Sequence, residues 1–358
     1  MKRSWRIGQT LFAAAVLIFG ACGTGGSSGS RPASDGKSLS EDLFFDPPLE
    51  ARPGVLWAWL NGFVDRDQLT RELEELKAKG LGGAIIWDVG SLRDPKKIIP
   101  AGPAFLGPES VASISHAIDT AGRLGLELGL FASSSWNAGG AWITPENASR
   151  QLLCRQVDVR GPGRVRTTVP LPEGVTDHWR DVAVLAVPEG GPAVDISDRM
   201  DPRGRLEWDA PPGASRIMRI VASNTGQTLE CPSPNSDGLI IDHLSREAAT
   251  VDMTYILDRL LSARASLGAL KTFMLDSYEV REAFDWTDDF VDEFRTRHGY
   301  DPVPYLPALF EPAALDAAIA GRFLYDYRKT VSDLIIENHF RAVRDLLNRR
   351  GVRLLAEA

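Results

Sequence analysis

The stretch Leu270-Lys271-Thr272-Phe273-Met274-Leu275-Asp276-Ser277-Tyr278-Glu279-Val280 decides how this chain is read. Its apolar core, Phe273 to Leu275, runs straight into Asp276, Ser277, Tyr278 and Glu279. A long helical pattern precedes it and a polar, Trp-containing segment follows. A buried parallel strand looks this way when its C-terminal end opens into a site. In parallel α/β folds, ligands and catalytic groups gather at that end. Two carboxylates and two hydroxyls leaving one apolar strand are costly to bury without partners. A solvated strand end, with Asp276 capping the next turn, explains the same residues. The stretch alone does not separate the two readings.

Upstream, Val55 to Val64 reads as an apolar, aromatic strand. Asp65 then caps a helix over Arg66 to Lys79, with Leu69, Leu73 and Leu76 on one stripe and Gly80 as its stop. Gly83 to Val89 is a second buried strand ending in Trp87-Asp88. Pro108 to Leu124 is a second helix, closed by Gly125, and Leu126 to Phe131 a third strand. This β-α-β-α-β order with short connections predicts a parallel sheet with right-handed crossovers. A helical pattern over Ser245 to Leu267 then leads into the quoted strand, the fourth. Beyond it, Trp286 to His298 reads as a helix capped by Thr287, followed by a Pro-rich loop. A long helix runs from about Leu315 to Arg349, and Val352 to Ala356 begins a fifth strand that ends at Glu357-Ala358. The expected fold is α/β: a (β/α)8 TIM-like barrel, cut after its fifth strand, because a barrel needs all eight strands to close its ladder. An open five-stranded parallel sheet is the alternative.

Residues 151–235 differ in character. Short alternating or β-branched runs, Leu153–Val159, Val165–Val169, Val182–Val187 and Arg216–Ala222, are separated by Pro and Gly. They predict a small antiparallel β module inserted after the third strand. The barrel would then occupy 43–150 and 236–358. Cys154 and Cys231 lie at the two ends of this insertion. A disulfide between them would pin its neck and contribute about 4–5 kcal/mol in the loop-entropy description. Two separate buried thiols are the preferred reading, since the sequence does not supply the close approach a bridge demands. Between the third strand and the insertion, Ala132 to Ser149 carries three Ser, two Trp and the pair Gly139-Gly140. Trp136 and Trp142 could form a platform for a sugar face or pack as local core. Composition favours neither.

The chain has 358 residues, 44% of them hydrophobic, and a net charge of −8. That is ordinary globular composition, with enough apolar material for a large core. Without a basic run beyond the extreme N-terminus, nucleic acid is not an expected partner. Residues 1–22 read as a targeting segment: Lys2, Arg3 and Arg6 precede the apolar Leu11–Phe19, which is too short to span a bilayer. Gly20-Ala21-Cys22 resembles a bacterial lipoprotein signal, in which Cys22 is lipidated. An ordinary cleaved signal is the alternative. Residues 23–42 have the Gly/Ser-rich composition of a flexible tether. Export to the bacterial periplasm or outer membrane is therefore expected, with membrane contact only through the N-terminal lipid.

Six stretches in this order carry a family resemblance: 55–89, SSSWNAGGAWITPENAS (133–149), GLIIDHLSREA (238–248), LDSYEV (275–280), WTDDFVDEFRTRHGYDPVPYLPAL (286–309) and RFLYDYRKTVSDLIIEN (322–338). Together the chain resembles glycoside hydrolase family 106, the bacterial α-L-rhamnosidases. Members are usually much longer, with the barrel completed and β-sandwich domains following. The resemblance implies a rhamnose-containing glycan as substrate, inversion at the anomeric carbon, and calcium, whose ligands the spacing does not identify.

Glycoside hydrolysis needs two carboxyl groups flanking the scissile bond, about 6.5–9.5 Å apart for inversion. Glu279, at the end of the fourth strand, is the first candidate and Glu357, at the end of the fifth, the second. Tips of neighbouring strands, about 4.8 Å apart, can face one substrate. Asp276 and Asp88 suit sugar hydroxyls, structural hydrogen bonds or a calcium ion. Asn61, Trp136, Asn137, Trp142 and Tyr278 complete the expected sugar-contacting set, since carbohydrate sites combine ring faces with amide and carboxylate groups. His243, just before a helix, reads as cap or loop. No HExxH, GxSxG, GxGxxG or Walker A pattern is present, which disfavours zinc hydrolases, common esterases and nucleotide folds. A non-catalytic carbohydrate-binding lipoprotein, or an inactive fragment of such an enzyme, is the competing reading.

Overall fold

The computed structural model describes residues 41–357 apart from 93, 95, 190, 276, 277 and 281–283. The targeting segment, most of the tether, Cys22 and Asp276 lie outside the described residues. The chain forms two compact units, residues 1–53 and 54–358. The first contains the short helix α1 (Glu41–Phe45), with Arg52 bonded to the Pro47 carbonyl and the Asp46 carboxylate. Among the described residues no helix is long and apolar enough to cross a membrane.

The second unit is built on β1 (Gly54–Leu60), α2 (Arg66–Ala78), β2 (Gly83–Val89), α3 (Pro108–Leu124) and β3 (Glu127–Phe131). Asp65 caps α2 by accepting the Gln68 N–H at 2.9 Å, as its side chain predicts. Gly125 closes α3 in the left-handed conformation (φ 68). The parallel sheet is completed by β10 (Leu270–Leu275) and β12 (Arg353–Ala356). Its order, β1-β2-β3-β10-β12, follows the chain without reversal, and all four pairings are parallel. Gly83 is required where β2 passes β3: a Cβ there would lie 1.9 Å from the Glu127 carbonyl oxygen. One core joins Ile86, Leu128, Leu130 and Phe273 of the sheet to Leu73, Ile118, Ile256 and Leu347 of α2, α3, α4 (Arg246–Leu261) and α8 (Ala342–Asn348). On β1, Trp59 is buried while Leu56 and Leu60, on the other face of the strand, are 56% and 40% exposed.

A second sheet, antiparallel, lies between β3 and α4 in the chain. After a two-residue pairing of β4 (Gly139–Gly140) with β9 (Leu239–Ile240) come β5 (Arg150–Thr168), β6 (Trp179–Pro188), β7 (Val194–Asp195) and β8 (Arg205–Asn224). The first two expected runs merge into the long β5, Val182–Val187 falls in β6, and Arg216–Ala222 is part of the long β8; β5 pairs with β8 from Arg150↔Asn224 to Thr168↔Arg205, with one register shift at Gly161/Gly163. The sheet order is β11-β5-β8-β6-β7, so its edge strand β11 (Phe284–Trp286) comes from beyond β10. Trp286, expected in a helix, therefore lies in a strand, and α5 starts only at Phe290 (Phe290–His298). One face of this sheet, with Leu185, Met218 and Ile220, packs on Trp286, Phe290, Phe294 and Phe323, from β11, α5 and α7 (Ala317–Leu334). The short α6 (Pro307–Phe310) adds Leu309. The expected single long helix is α7, a π-helical stretch over Ile335–Arg341, and α8.

The cysteine pairing does not form. Cys154 and Cys231 are both free thiols. Cys154 sits on β5 opposite Ile220 and packs on the second core. Cys231 donates its S–H to the Gly90 carbonyl, at the tip of β2. The neck is closed by backbone pairing instead.

Candidate active site

The tips of the parallel strands carry the expected polar residues, but each has a distinct job. Asn61 follows β1 in the left-handed conformation (φ 57). Its Nδ2 donates to the Ile99 carbonyl (3.0 Å) and its Oδ1 accepts the Ser91 N–H (2.8 Å). Its side chain thus ties loops together. Asp88, near the end of β2, is 2% exposed and accepts from Ser134 Oγ and from Ser233 Oγ (2.6 Å). Burial raises its carboxyl to about 6, against the pull of the two hydroxyls. Asp88 therefore staples the loop after β3 to the segment that follows β8.

Glu279 meets Trp136 across the tips of β3 and β10: the indole Nε1 donates to Glu279 Oε2 at 2.7 Å. Trp136 is tilted against Trp87, ring centroids 6.2 Å apart, and Trp87 stacks on Phe131 at 5.2 Å. The Glu279 carbonyl accepts from Asn137 Nδ2 (3.2 Å) and from Gln227 Nε2 (2.8 Å). Trp136, Asn137 and Glu279 are thus brought together. Trp142 is turned away from them, onto α4: its Nε1 donates to Asp252 Oδ1 at 2.7 Å and its ring stacks on Tyr255 at 4.7 Å.

On the other side of the β10 tip, the Glu357 N–H donates to the Leu275 carbonyl at 3.2 Å. Glu357 and Tyr278 line a cavity of about 830 Å³, shared with Asp285, Tyr327, Arg328 and Phe340. The Tyr278 hydroxyl donates to Asp285 Oδ1 (2.8 Å), and the Tyr327 hydroxyl to the Asp285 carbonyl (2.6 Å). Burial raises the Asp285 carboxyl and, with the adjacent Asp285 charge, the Tyr278 hydroxyl. His243 is not a surface cap. It is buried, edge-on to Tyr278 at 4.9 Å and to His339 of the π-helical stretch at 4.8 Å. Burial lowers His243 to about 4, so both rings are neutral packing groups at neutral pH.

The strand tips thus place two candidate carboxylates on either side of β10: Glu279 on the indole N–H of Trp136, and Glu357 at a mainly apolar cavity. Gln227, Asp285, Tyr327 and His339 carry no signal in the sequence. They lie in a turn, a three-residue edge strand and a helix interior, and only folding brings them to the β10 tip.

A family model described as alpha-L-rhamnosidase (Glyco_hydro_106) matches residues 45–191 and 185–358. A protein of Formosa agariphila named "Putative beta-glucuronidase" is 29% identical over 359 residues, covering 88% of this chain and 30% of that protein. The structure of a rhamnosidase from Novosphingobium sp. PP1Y superposes with a TM-score of 0.74 at 21% identity, covering 88% of this chain and 47% of that one. The chain therefore spans less than half the length of each relative. Matched along most of its length, from the first strand to the fifth, this chain belongs to glycoside hydrolase family 106.

Proposed function

We propose that the chain carries the Glu279-bearing part of an exported glycoside hydrolase that removes terminal α-L-rhamnosyl units from polysaccharides or glycosides. One observation carries this reading: Glu279 leaves the tip of the fourth strand with its carboxylate on the Trp136 N–H and its backbone carbonyl held by Asn137 and Gln227. Glu357 is the second carboxyl group, placed beside that tip by its bond to Leu275. In an inverting hydrolysis one of the two protonates the glycosidic oxygen while the other removes a proton from the attacking water. The Trp136 indole positions the Glu279 carboxylate, and the Trp87–Trp136 surface offers an apolar face to a pyranose ring.

The sequential strand order supports reading the sheet as the first five strands of a (β/α)8 barrel. In such a barrel every crossover helix lies outside, and the inward face, here with Leu56 and Leu60, is filled by layered side chains. The antiparallel sheet is the insertion on that barrel. Calcium, implied by the family resemblance, enters no step. Among the described residues no group of three or more His, Cys, Asp or Glu side chains is arranged to hold a metal ion. The N-terminal segment, with Cys22 as lipidation site, accounts for export. Metabolic labelling with a fatty acid, lost in Cys22→Ala, tests it.

The catalytic reading is tested by assaying release of an aryl leaving group from α-L-rhamnoside and β-D-glucuronide substrates. Hydrolysis of the rhamnoside, reduced about 10²–10⁴-fold in kcat by Glu279→Gln, is the expected result. Turnover of the glucuronide instead would reassign the sugar. Sugar binding without hydrolysis would favour the non-catalytic carbohydrate-binding reading.

A further inference from the structure

Ser135 holds a backbone conformation that its side chain resists. Its φ is 130°, whereas the other described non-glycine residues with positive φ, Asn61, Lys97 and Leu106, lie between 49° and 58°, near the left-handed helical well. A non-glycine residue so placed is strained, and such strain persists only where the surroundings over-determine it. Ser135 is fully buried, and its N–H, carbonyl and hydroxyl are all tied. The N–H donates to the Asp88 carbonyl at 2.9 Å, the carbonyl accepts the Trp87 indole N–H at 2.9 Å, and Oγ accepts the Cys231 N–H at 3.1 Å. Two ties run to the end of β2 and the third to the segment between β8 and β9. The next residue is Trp136, half-buried, whose Nε1 donates to Glu279 Oε2 at 2.7 Å. The Trp87 ring whose N–H holds Ser135 also lies against the Trp136 ring, centroids 6.2 Å apart.

Resting on the glycosidase reading above, we propose that Ser135 is a positioning residue: its three ties hold the strained backbone that aims the Trp136 indole at the Glu279 carboxylate. Peptide units are planar, so a change in one φ swings everything that follows it. A relaxed Ser135 would therefore carry the indole away from Glu279. Backbone strain of this kind concentrates at functional sites, where it preorganises a group instead of stabilising the fold. The inserted sheet contributes to this placement through the Cys231 N–H, at the end of its return to the scaffold.

The test compares Ser135→Ala with Ser135→Gly on an aryl α-L-rhamnoside. Both lose the bond to the Cys231 N–H. Ala keeps the Cβ that strains φ near 130°, so with one tie gone its backbone relaxes, whereas Gly adopts the same φ without strain. The expected result is kcat about tenfold lower in Ser135→Ala with KM within about threefold, and both constants within about threefold of the parent in Ser135→Gly. The urea midpoint should also be higher for Gly than for Ala, the reverse of the usual order, since glycine ordinarily loses more backbone entropy on folding. Equal kcat values in the two variants, a lower one in Ser135→Gly, or a lower midpoint in Ser135→Gly overturns the inference; with Glu279→Gln inactive, the glycosidase reading still stands. One further readout needs no turnover: the indole N–H proton resonance that vanishes in Trp136→Phe. It should shift on Glu279→Gln in the parent and in Ser135→Gly, and not in Ser135→Ala. If the protein hydrolyses no glycoside, that reading fails and this resonance decides Ser135 separately, the same response in both variants overturning the inference. If Ser135→Ala does not fold, Ser135→Gly decides: a resonance that still responds to Glu279→Gln supports the inference, and one that does not overturns it.

Discussion

Trp142→Phe separates a structural brace from a sugar platform. The Trp142 indole donates to Asp252 Oδ1 at 2.7 Å and stacks on Tyr255, both residues of α4. Asp252 is buried, and burial raises its carboxyl to about 7, with the Trp142 N–H pulling it down. Phe keeps an aromatic ring against Tyr255 but removes the donor. Below about pH 6 the carboxyl is protonated, and losing a bond between neutral groups costs about 1 kcal/mol. Above about pH 8 it is ionised, and losing a bond to a charged group costs about 1.5–3 kcal/mol. The sign follows from proton binding. The lost N–H favours the carboxylate, so folded Trp142→Phe holds its Asp252 proton to higher pH than the folded parent. From about pH 7 upward the folded variant binds more protons, and its stability deficit grows. Urea unfolding followed by far-UV circular dichroism at about pH 5.5 and 8.5 measures both values. A deficit independent of pH would refute the role given to Asp252. A raised KM without any stability deficit would show that Trp142 faces substrate and that the brace reasoning is wrong.

Asp88→Asn should flatten the pH dependence of stability. The Asp88 carboxyl rises from 3.8 to about 6 on folding, so its contribution is fully present below about 3.8 and is lost as pH climbs through about 6. The span amounts to about 3 kcal/mol at most. Asn keeps an acceptor for Ser134 and Ser233, and unfolding free energies between about pH 4 and 7 should change by that much less in the variant. Gly83→Ala should destabilise by more than about 3 kcal/mol or prevent folding, because the Cβ would fall 1.9 Å from the Glu127 carbonyl. A soluble variant with a parental urea midpoint would contradict the β2–β3 register.

The first two parallel strands were legible because each is a short apolar run, broken by Gly62 or Gly90 and followed by an amphipathic helix. Asp65, Gly125 and Ser245 act locally, and their backbone conformations follow from their own side chains. Trp286 misled for the same local reason. Thr287, Asp288 and Asp289 are good helix-start residues, but pairing of Phe284–Trp286 with Gln151 and its neighbours claimed the segment for a sheet edge. Tertiary pairing overrides propensity where a strand's partner is far away in sequence.

The sequence by itself determined the order of the β/α units, the place of the inserted sheet, and Glu279 at the tip of the fourth strand. Those features follow from hydrophobic period and capping, which neighbouring residues encode. Only the tertiary structure decided which side chains share a site. It sent Trp136 to Glu279 and Trp142 to α4, although they lie only six positions apart in the chain. It used Asn61 and Asp88 to tie loops, kept the two cysteines apart, and brought Gln227 and Glu230 to the Glu279 strand from the end of the insertion. A side chain's partner is set by the packing of distant segments, and that information is not local to any stretch of the chain.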